Sequence, residues 1–298
     1  MEDKGSIVRK LNKLKLVEGI KPFQVETHYE VIMGSFAYGV SSDTSDCDVY
    51  GFYTPPMEQV FPHTKGYING FGKPPQMDNG YQKHHIKLEP KEYDVALFSI
   101  VKFFQLCMEN NPNMIDSLFV PSRCVIHSDE IGTAIRDNRR MFLHKGIHHK
   151  LMGYAYSQLN KLKTKKPDND SRRYDMVQKY GYDVKFAYHV VRLVQQAEMV
   201  MSEHDLDLER NRELLKAIRR GEWTLDELES WFKKRQDDLE TLYTTSDLRY
   251  TANEVKIKEL LFQCLEMKFG SLSAYFNLDG STKVVLDKMK RIKSIIDE

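Results

Sequence analysis

A Gly-Ser pair followed by an Asp-x-Asp pair restricts the fold of this chain more than any other feature of its sequence. Gly34 and Ser35 end a run over residues 29–33 in which β-prone residues alternate, and that alternation predicts a strand. Glycine has no Cβ atom, so a phosphate group can approach the backbone there, and the serine hydroxyl can donate a hydrogen bond to it. The turn therefore indicates a binding site for phosphate oxygens at the end of a strand.

The aspartate pair supplies what such a site needs next. Asp46 and Asp48 open a second β-prone run over 47–53, and residues two apart on a strand project from the same face. Two adjacent carboxylates repel each other, and a divalent cation between them relieves that repulsion. The alternative is a polar turn with solvated aspartates, which the strand and the Gly-Ser turn ahead of it disfavour. We therefore predict a metal site at Asp46 and Asp48.

These residues resemble the signature of the DNA polymerase beta superfamily of nucleotidyltransferases, which here has the form Gly34-Ser35 followed by Ser45-Asp46-x-Asp48. The longer form, Gly-Ser-x-Ala-Tyr-Gly-(six)-Asp-x-Asp-x-x-Gly, is similar to a branch of predicted nucleotidyltransferases associated with RNA repair. Two later stretches also resemble that branch: Asn111-Pro112-Asn113 and Lys185-x-x-x-His189-x-x-Arg192-Leu193. The resemblance covers most of residues 29–220 and implies that Gly34, Ser35 and Ser45 contact a nucleotide.

The resemblance also implies a third carboxylate on a neighbouring strand, and Asp94 is our candidate. Residues 92–98 alternate in the manner of a half-buried strand, and the run 84–88 precedes them across a Glu-Pro-Lys turn, so a hairpin is expected. In the resembling enzymes this acid helps to activate the attacking hydroxyl and completes the coordination of one metal ion. Glu92 shares the face of Asp94 and is the alternative ligand. A solvated acid at the sheet edge is the alternative without a catalytic role.

A second cluster of candidates lies on a helix expected over 182–200. Lys185, His189 and Arg192 are spaced i, i+4 and i+7, beside an apolar stripe. On spacing alone, an exposed basic edge of a core helix explains this pattern equally well. The resemblance favours a face that binds the triphosphate or an RNA phosphate, where arginine binds bidentately and lysine acts as a point charge.

The hydrophobic periodicity changes at about residue 125, which predicts two domains. Strands and a helix over 100–109 are expected within 1–125, and Asn111 is expected to cap the next helix. Apolar residues at 3–4 spacing then predict helices near 129–141, 145–164, 174–203, 207–220, 224–242, 253–269 and 281–297. We expect an α+β fold: a mixed sheet with flanking helices, polymerase-beta-like by resemblance, followed by an α-helical substrate-binding domain over 126–298. The substrate cleft is expected between them.

Two segments leave their role open. The stretch 54–83 is rich in proline and glycine, and its aromatic residues either stack on a base or only fix the loop; they are Tyr67, Phe71 and Tyr81. The stretch 161–179 is basic and either contacts RNA phosphates or forms a solvated loop between helices. Its basic residues are Lys161, Lys163, Lys165, Lys166, Arg172, Arg173 and Lys179.

The composition excludes several classes of protein. The formal net charge of +1 over 298 residues gives no global argument for nucleic-acid binding. No apolar run approaches the ~18–20 residues of a membrane span, and the N-terminus lacks the pattern of a signal peptide. The cysteines show neither pairing nor metal-ligand spacing, which predicts reduced thiols and a cytoplasmic location. His144, His148 and His149 lack the neighbouring ligands that a zinc site uses.

The residues and the resemblance together predict nucleotidyl transfer. A nucleoside triphosphate (NTP) binds with its phosphates at Gly34 and Ser35, and two magnesium ions, with manganese as an alternative, connect it to Asp46 and Asp48. Asp94 positions an acceptor hydroxyl in line with the α-phosphorus, and pyrophosphate leaves. The resemblance implies an RNA 3′ end, tRNA-like, as acceptor. The alternatives are a protein-modifying, AMPylating-type nucleotidyltransferase and a non-catalytic module that binds nucleotide or RNA.

Overall fold

The computed structural model describes residues 5–42, 45–62, 78–164 and 172–271, without the side chains of Arg172 and Arg173. Within these ranges the strands are β1 Thr27–Ile32, β2 Cys47–Tyr53, β3 Gly80–Leu88, β4 Lys91–Ser99 and β5 Val125–Ser128. They form one mixed sheet in the spatial order β3-β4-β2-β1-β5. The predicted α+β architecture, a sheet followed by helices, is confirmed.

The central strands β2 and β4 run parallel, whereas the other neighbouring pairs of strands are antiparallel. The register of the parallel pair places Asp48 beside Asp94 and Tyr53 beside Ser99. Residues at level positions of neighbouring strands project from the same face of a sheet, because the pleats of the strands are aligned. The predicted hairpin of β3 and β4 is also confirmed. The sheet therefore brings two of the predicted site residues together on one face.

Hydrophobic clusters cover both faces of the sheet. On one face lies α1 (Ile7–Lys13), whose Val8 belongs to the same cluster as Val49 of β2. The opposite face, which carries Phe52, belongs to a larger cluster formed with the later helices. Asp48 is two pleats away from Phe52 on the same side of β2, so it faces the helical half of the molecule.

The other helices connect the strands or follow the sheet. They are α2 Pro22–Val25, α3 Met57–Val60, α4 Ile100–Met108, α5 Pro112–Phe119, α6 Glu130–Asp137, α7 Gly146–Thr164, α8 Arg172–Tyr180, α9 Val184–Glu203, α10 Arg212–Arg219, α11 Leu225–Thr245 and α12 Glu254–Phe269. α9 is buried along most of its length and packs against α7, α10 and α11. Two predicted helix starts are confirmed: Asn111 caps α5, and Thr224 forms a capping box with Glu227 in α11.

Three details of the sequence prediction are wrong. The helix expected over 174–203 is two helices, because Gly181 has a φ of 81° and Asp183 starts a new helix by accepting a hydrogen bond from the Lys185 N–H. The helix expected over 129–141 ends at Asp137 and is followed by a 3-10 turn. β5 is absent from the prediction because its four residues are too few to show periodicity.

The larger hydrophobic cluster extends across residue 125. It joins Phe52 of β2 to Val190 of α9 and to Leu260 of α12. α12 returns to the sheet half of the chain, where it packs on α4, and it also packs on α6, just beyond residue 125. The division into 1–125 and 126–298 stays a prediction, and the two parts share a continuous interior.

The structure provides information on the cysteines and on the length and hydrophobicity of the helices. None of the four cysteines of the chain forms a disulfide, and all four are buried. No helix in the described ranges has the length and hydrophobicity that crossing a bilayer requires.

Several predictions fall outside the described residues. These are the helix over 281–297, the aromatic residues Tyr67 and Phe71, and the basic residues Lys165 and Lys166. The third aromatic residue of that segment, Tyr81, lies on β3, and its hydroxyl donates to the Glu18 carbonyl oxygen at 3.0 Å. Tyr81 therefore fixes β3 to the segment after α1.

Candidate active site

The Gly-Ser turn lies directly against the second aspartate of the motif. Gly34 has a φ of 63° and begins the 3-10 turn Gly34–Phe36. A Cβ atom on Gly34 would lie 2.0 Å from Oδ2 of Asp48, so a side chain at this position would displace the Asp48 carboxylate. The Met33 N–H also donates to the Asp48 carbonyl oxygen at 2.7 Å. The end of β1 and the Asp48 carboxylate therefore form one compact wall.

Negative charge accumulates at this wall. Asp48 is half-buried beside Asp94, and Asp46 is exposed just before β2. Burial raises the pKa of Asp48, and the charges of Asp94 and Asp46 raise it further, whereas Lys185 and His84 act in the opposite direction. The three carboxylates predicted as metal ligands are thus close enough to influence one another electrostatically.

Asp94 is held by two consecutive histidines of β3. Its Oδ1 accepts a hydrogen bond from the backbone N–H of His85 at 2.8 Å, and its Oδ2 lies 3.1 Å from Nδ1 of His84. Burial alone would raise the pKa of Asp94, but the hydrogen bond from His85 and the contact with His84 lower it below its usual value. Asp94 is therefore the carboxylate of the pair that stays ionised most readily.

The donor set fits a hard divalent cation. Carboxylate oxygens are the ligands that magnesium and manganese prefer. The pKa of Asp48 is raised mainly by burial and further by repulsion from Asp94 and Asp46, and a cation would relieve that repulsion. In the described part of the chain, His85, Glu92 and Asp94 form another possible ligand group, with ligand atoms all within 4.8 Å of one another. Glu92, the alternative third carboxylate, therefore lies close to Asp94. Metal binding by any of these residues stays a prediction.

A cleft of about 530 Å³ opens between this wall and α9. Its size is within the range of about 300–1,000 Å³ that is usual for small-molecule sites. It is lined by every predicted site residue except Asp94: Gly34, Ser35, Ser45, Asp46, Asp48, Lys185, His189 and Arg192. The two sequence motifs therefore meet across one cleft.

Two polar groups in the cleft are available to a ligand. The exposed Lys185, in the first turn of α9, has no ion-pair partner among the described residues, and its charge lowers the pKa of Asp48. The Ser35 hydroxyl likewise has no hydrogen-bond partner in those residues. The Ser45 hydroxyl, in contrast, accepts a hydrogen bond from the Ser42 N–H at 2.9 Å. Lys185 and Ser35 face the same space from opposite walls.

Arg192 lies deeper than Lys185. Its side chain is 12% exposed, and its Nη1 donates to the Tyr38 hydroxyl and lies 3.5 Å from Oδ2 of the buried Asp116. The Tyr38 hydroxyl in turn donates to Asp116, which also accepts a hydrogen bond from Nε2 of Gln196 at 2.9 Å. Arg192 therefore ties α9 to α5 and to the turn after β1. Direct contact between Arg192 and phosphate stays a prediction.

Three further cleft residues have no role in the sequence prediction. Tyr38 and Asn113 line the cleft and belong to the motifs that carry the resemblance, so the motifs contained a signal for them. Arg219 offers no such signal. It ends α10, and its Nη1 donates to the Val40 carbonyl oxygen at 2.6 Å. This contact depends on how α9 and α10 pack, which residue spacing does not encode.

Comparisons with known proteins agree with the motifs. A model of a family described as "RNA repair pathway DNA polymerase beta family" matches residues 8–258. A protein of Enterobacteria phage T4, described as an uncharacterized 38.9 kDa protein in the nrdC-mobD intergenic region, is 26% identical over 144 residues. That alignment covers 46% of this chain and 39% of the phage protein, so the chain spans well under two thirds of its relative.

One solved structure shares only a weak likeness. It is a nucleotidyltransferase-like protein from Exiguobacterium sibiricum, 10% identical, with 87% of this chain and 79% of that chain covered. The TM-score is 0.29, which is too low to transfer structural detail or function.

Proposed function

The chain belongs to the RNA repair pathway DNA polymerase beta family, and on that premise we propose that it is a metal-dependent nucleotidyltransferase. It moves a nucleoside monophosphate from an NTP to the hydroxyl of an RNA 3′ end and releases pyrophosphate. The observation that carries this proposal is the pairing of Asp48 with Asp94 on parallel strands, with Gly34 against Asp48 and Lys185 across the cleft.

Asp46, Asp48 and Asp94 are the residues that would hold two magnesium ions, with manganese as an alternative. Bound cations would neutralise phosphate charge and lower the pKa of the acceptor hydroxyl. The effect of Asp46 and Asp94 on the pKa of Asp48 supports this assignment, since the same charges that destabilise one another attract a cation.

The triphosphate binds between the Gly-Ser turn and α9. The Ser35 hydroxyl and the N–H groups of the turn donate to phosphate oxygens, which can come close because Gly34 has no side chain. Lys185 adds a positive charge from the opposite wall. His189 lines the same wall one helical turn further on. These contacts bind the pyrophosphate part and hold the α-phosphorus near the carboxylates.

Asp94 positions the acceptor hydroxyl. Its lowered pKa keeps the carboxylate ionised at neutral pH, so it accepts a hydrogen bond from the hydroxyl and aligns the attacking oxygen. That oxygen forms a bond to the α-phosphorus, the bond to the pyrophosphate oxygen breaks, and the hydroxyl proton passes to Asp94 or to water. The family description supports RNA as the source of the hydroxyl.

The proposal is tested by incubating the protein with each of the four NTPs, labelled at the α-phosphate, together with magnesium or manganese and RNA. We expect label to join RNA that ends in a 3′-hydroxyl. RNA that ends in a 3′-phosphate should stay unlabelled, and so should any RNA incubated with the Asp48→Asn variant.

Two outcomes would count against the proposal. Label on protein rather than on RNA, when a cell lysate supplies both, would indicate the AMPylating alternative. Absence of transfer to any acceptor with either cation would indicate a module that binds nucleotide or RNA without catalysis.

A further inference from the structure

A second, smaller pocket adjoins the cleft. It has a volume of about 190 Å³ and shares Asn113, His189 and Arg192 with the larger one. Its other walls include Tyr154 and Gln158 of α7. Because the two pockets have common walls, one ligand can occupy both.

The pocket presents three side chains that the protein itself does not use. Asn113 and Tyr154 are exposed and Gln158 is half-buried, and within the described residues none of their side chains forms a hydrogen bond, an ion pair or a ring contact. Tyr154 is 49% exposed although it borders a cavity. Tyr156, two positions further along α7, shows the contrast: its ring packs edge-on against Phe232 with the ring centres 5.1 Å apart.

The chemistry of the two pockets is complementary. The larger one provides carboxylates, a lysine and a serine hydroxyl, which suit phosphates and their cations. The smaller one provides an aromatic face and the amide groups of Asn113 and Gln158, each of which can donate and accept hydrogen bonds; a third amide, that of Asn111, caps α5. An NTP has the same division into a charged end and a flat aromatic end that carries donors and acceptors. Asp94, where the acceptor is expected, borders neither pocket.

We propose, on the basis of the function proposed above, that the pocket formed by Asn113, Tyr154 and Gln158 binds the nucleobase of the incoming NTP. Tyr154 stacks on the base, as aromatic side chains do in nucleotide-binding proteins. The amide groups of Asn113 and Gln158 hydrogen-bond to the edge of the base and set the preference among the four bases.

The test separates the base from the phosphates. Affinities for the four NTPs and for inorganic tripolyphosphate, which has no base, are measured by calorimetry in magnesium buffer. We expect Tyr154→Ala to weaken the binding of the preferred NTP by about 5- to 150-fold, the range for losing one stacked base, and to leave tripolyphosphate unchanged. Tyr154→Phe should bind like the wild type because it keeps the ring. Gln158→Ala should change the order of the four NTPs.

Tyr156→Ala is the matched control. It removes the same side chain from the same helix and should leave NTP affinity unchanged, with thermal melting used to check that each variant is folded. The proposal is overturned if Tyr154→Ala binds all four NTPs like the wild type, or if it weakens tripolyphosphate as much as NTP. It is also overturned if the variant loses affinity for an RNA oligonucleotide while keeping its affinity for NTP.

The same measurements distinguish this proposal from the function on which it rests. Tyr154-dependent NTP binding without transfer to any acceptor would refute the proposed reaction and support the base pocket. Transfer to RNA by a Tyr154→Ala variant with unaltered NTP affinity would support the reaction and refute the base pocket.

Discussion

At the scale of single residues, the position of Asp48 between other carboxylates lowers the stability of the metal-free protein. Its pKa is raised by burial and by the nearby charges of Asp94 and Asp46. A carboxyl group whose pKa is raised by folding favours the native state while it is protonated, and this contribution is lost as the pH rises through the folded-state pKa. Ionised Asp48 therefore destabilises the metal-free protein at neutral pH.

We expect Asp48→Asn to raise the melting temperature of the metal-free protein at pH 7 by up to a few degrees. The gain should disappear in acid, where the wild-type carboxyl is also neutral. Transfer should fall by about 10³-fold or more, because the variant lacks one of the proposed metal ligands. Thermal melts over a pH series, with and without magnesium, check the prediction. An equal or lower melting temperature for the metal-free variant at pH 7 would contradict it.

The close approach of Gly34 to Asp48 gives a second prediction. Gly34→Ala places a methyl group 2.0 Å from Oδ2 of Asp48, at a φ of 63° that L-residues disfavour. We expect the free energy of unfolding to fall by more than the ~1–2 kcal/mol that the backbone conformation alone costs. We also expect NTP binding to be lost. Urea denaturation and calorimetry measure the two effects.

Gly19→Ala is the control for backbone strain. Gly19 has a φ of 76°, and a Cβ atom there would meet nothing within 4 Å. The free energy of unfolding of this variant should fall only by the cost of the backbone conformation, and the variant should bind NTP normally. Equal destabilisation by the two substitutions would mean that the clash with Asp48 has no effect.

The sequence predicted the positions of some site residues better than those of others. Gly34 and Asp48 follow from local pattern, because the motif and the strand fix both residue type and spacing. The resemblance implied a third carboxylate and strand alternation offered Asp94 as the candidate, although its pairing with Asp48 required the observed register. The surroundings of Arg192 could not be predicted. Its partners Tyr38 and Asp116 come from distant parts of the chain, so helix periodicity grouped Arg192 with Lys185 and His189 without revealing that Asp116 holds it.

At the scale of secondary-structure elements, the buried group around Asp116 connects three of them. Asp116 lies on α5 and is 2% exposed at its side chain, Arg192 lies on α9, and Tyr38 follows the turn after β1. Removing one member of a buried ion pair leaves the other charge without compensation, whereas replacing both with apolar residues avoids that penalty.

We therefore expect Asp116→Ala to lower the free energy of unfolding by about 3–5 kcal/mol. The double variant Asp116→Leu, Arg192→Met should recover part of that loss, because it removes the uncompensated charge but leaves the buried Tyr38 and Gln196 side chains without these partners. It should still impair NTP binding, because Tyr38 loses both of its partners. Urea denaturation of the single and double variants, with calorimetry for NTP, provides the comparison. If Asp116→Ala lowered the free energy of unfolding by less than about 1 kcal/mol, this would show that Arg192 finds another partner.

The elements themselves were largely predictable, and their pairing was not. The run 47–53 is observed as β2, and the hairpin of β3 and β4 formed as expected. The parallel pairing of β2 with β4 joins strands that are not consecutive, and no local pattern encodes such a contact. The break at Gly181 was missed because apolar spacing continues through it into α9.

At the scale of the whole molecule, the position of α12 makes the sheet half depend on the end of the described chain. Leu265 is 2% exposed in the cluster that also contains Phe52 of β2. A domain boundary at 125 is a natural interpretation of the sequence, because periodicity changes there. Sequence periodicity could not show that α12 returns to pack on α4 and α6, since this depends on the path of the chain in space.

This shared interior predicts one cooperative unfolding transition rather than two. Leu265→Ala should lower the free energy of unfolding by about 2–5 kcal/mol and shift the whole transition. Val255→Ala on the same helix, at a residue that is 68% exposed, should change it by no more than about 0.5 kcal/mol. Scanning calorimetry, with circular dichroism to follow helices and sheet, measures the transition. Loss of only part of the structure of the Leu265→Ala variant at lower temperature would contradict the prediction.

The buried cysteines can be used to measure local opening of the structure. Burial raises the pKa of Cys47 to about 11 and that of Cys264 to about 12, and it also raises the pKa of Cys107. At neutral pH these thiols are almost entirely protonated and shielded, so an alkylating reagent reacts with them only when the surrounding structure opens. They lie on β2, α12 and α4 respectively, so the rate at which each thiol is alkylated reports how often its own layer of the fold exposes itself to water.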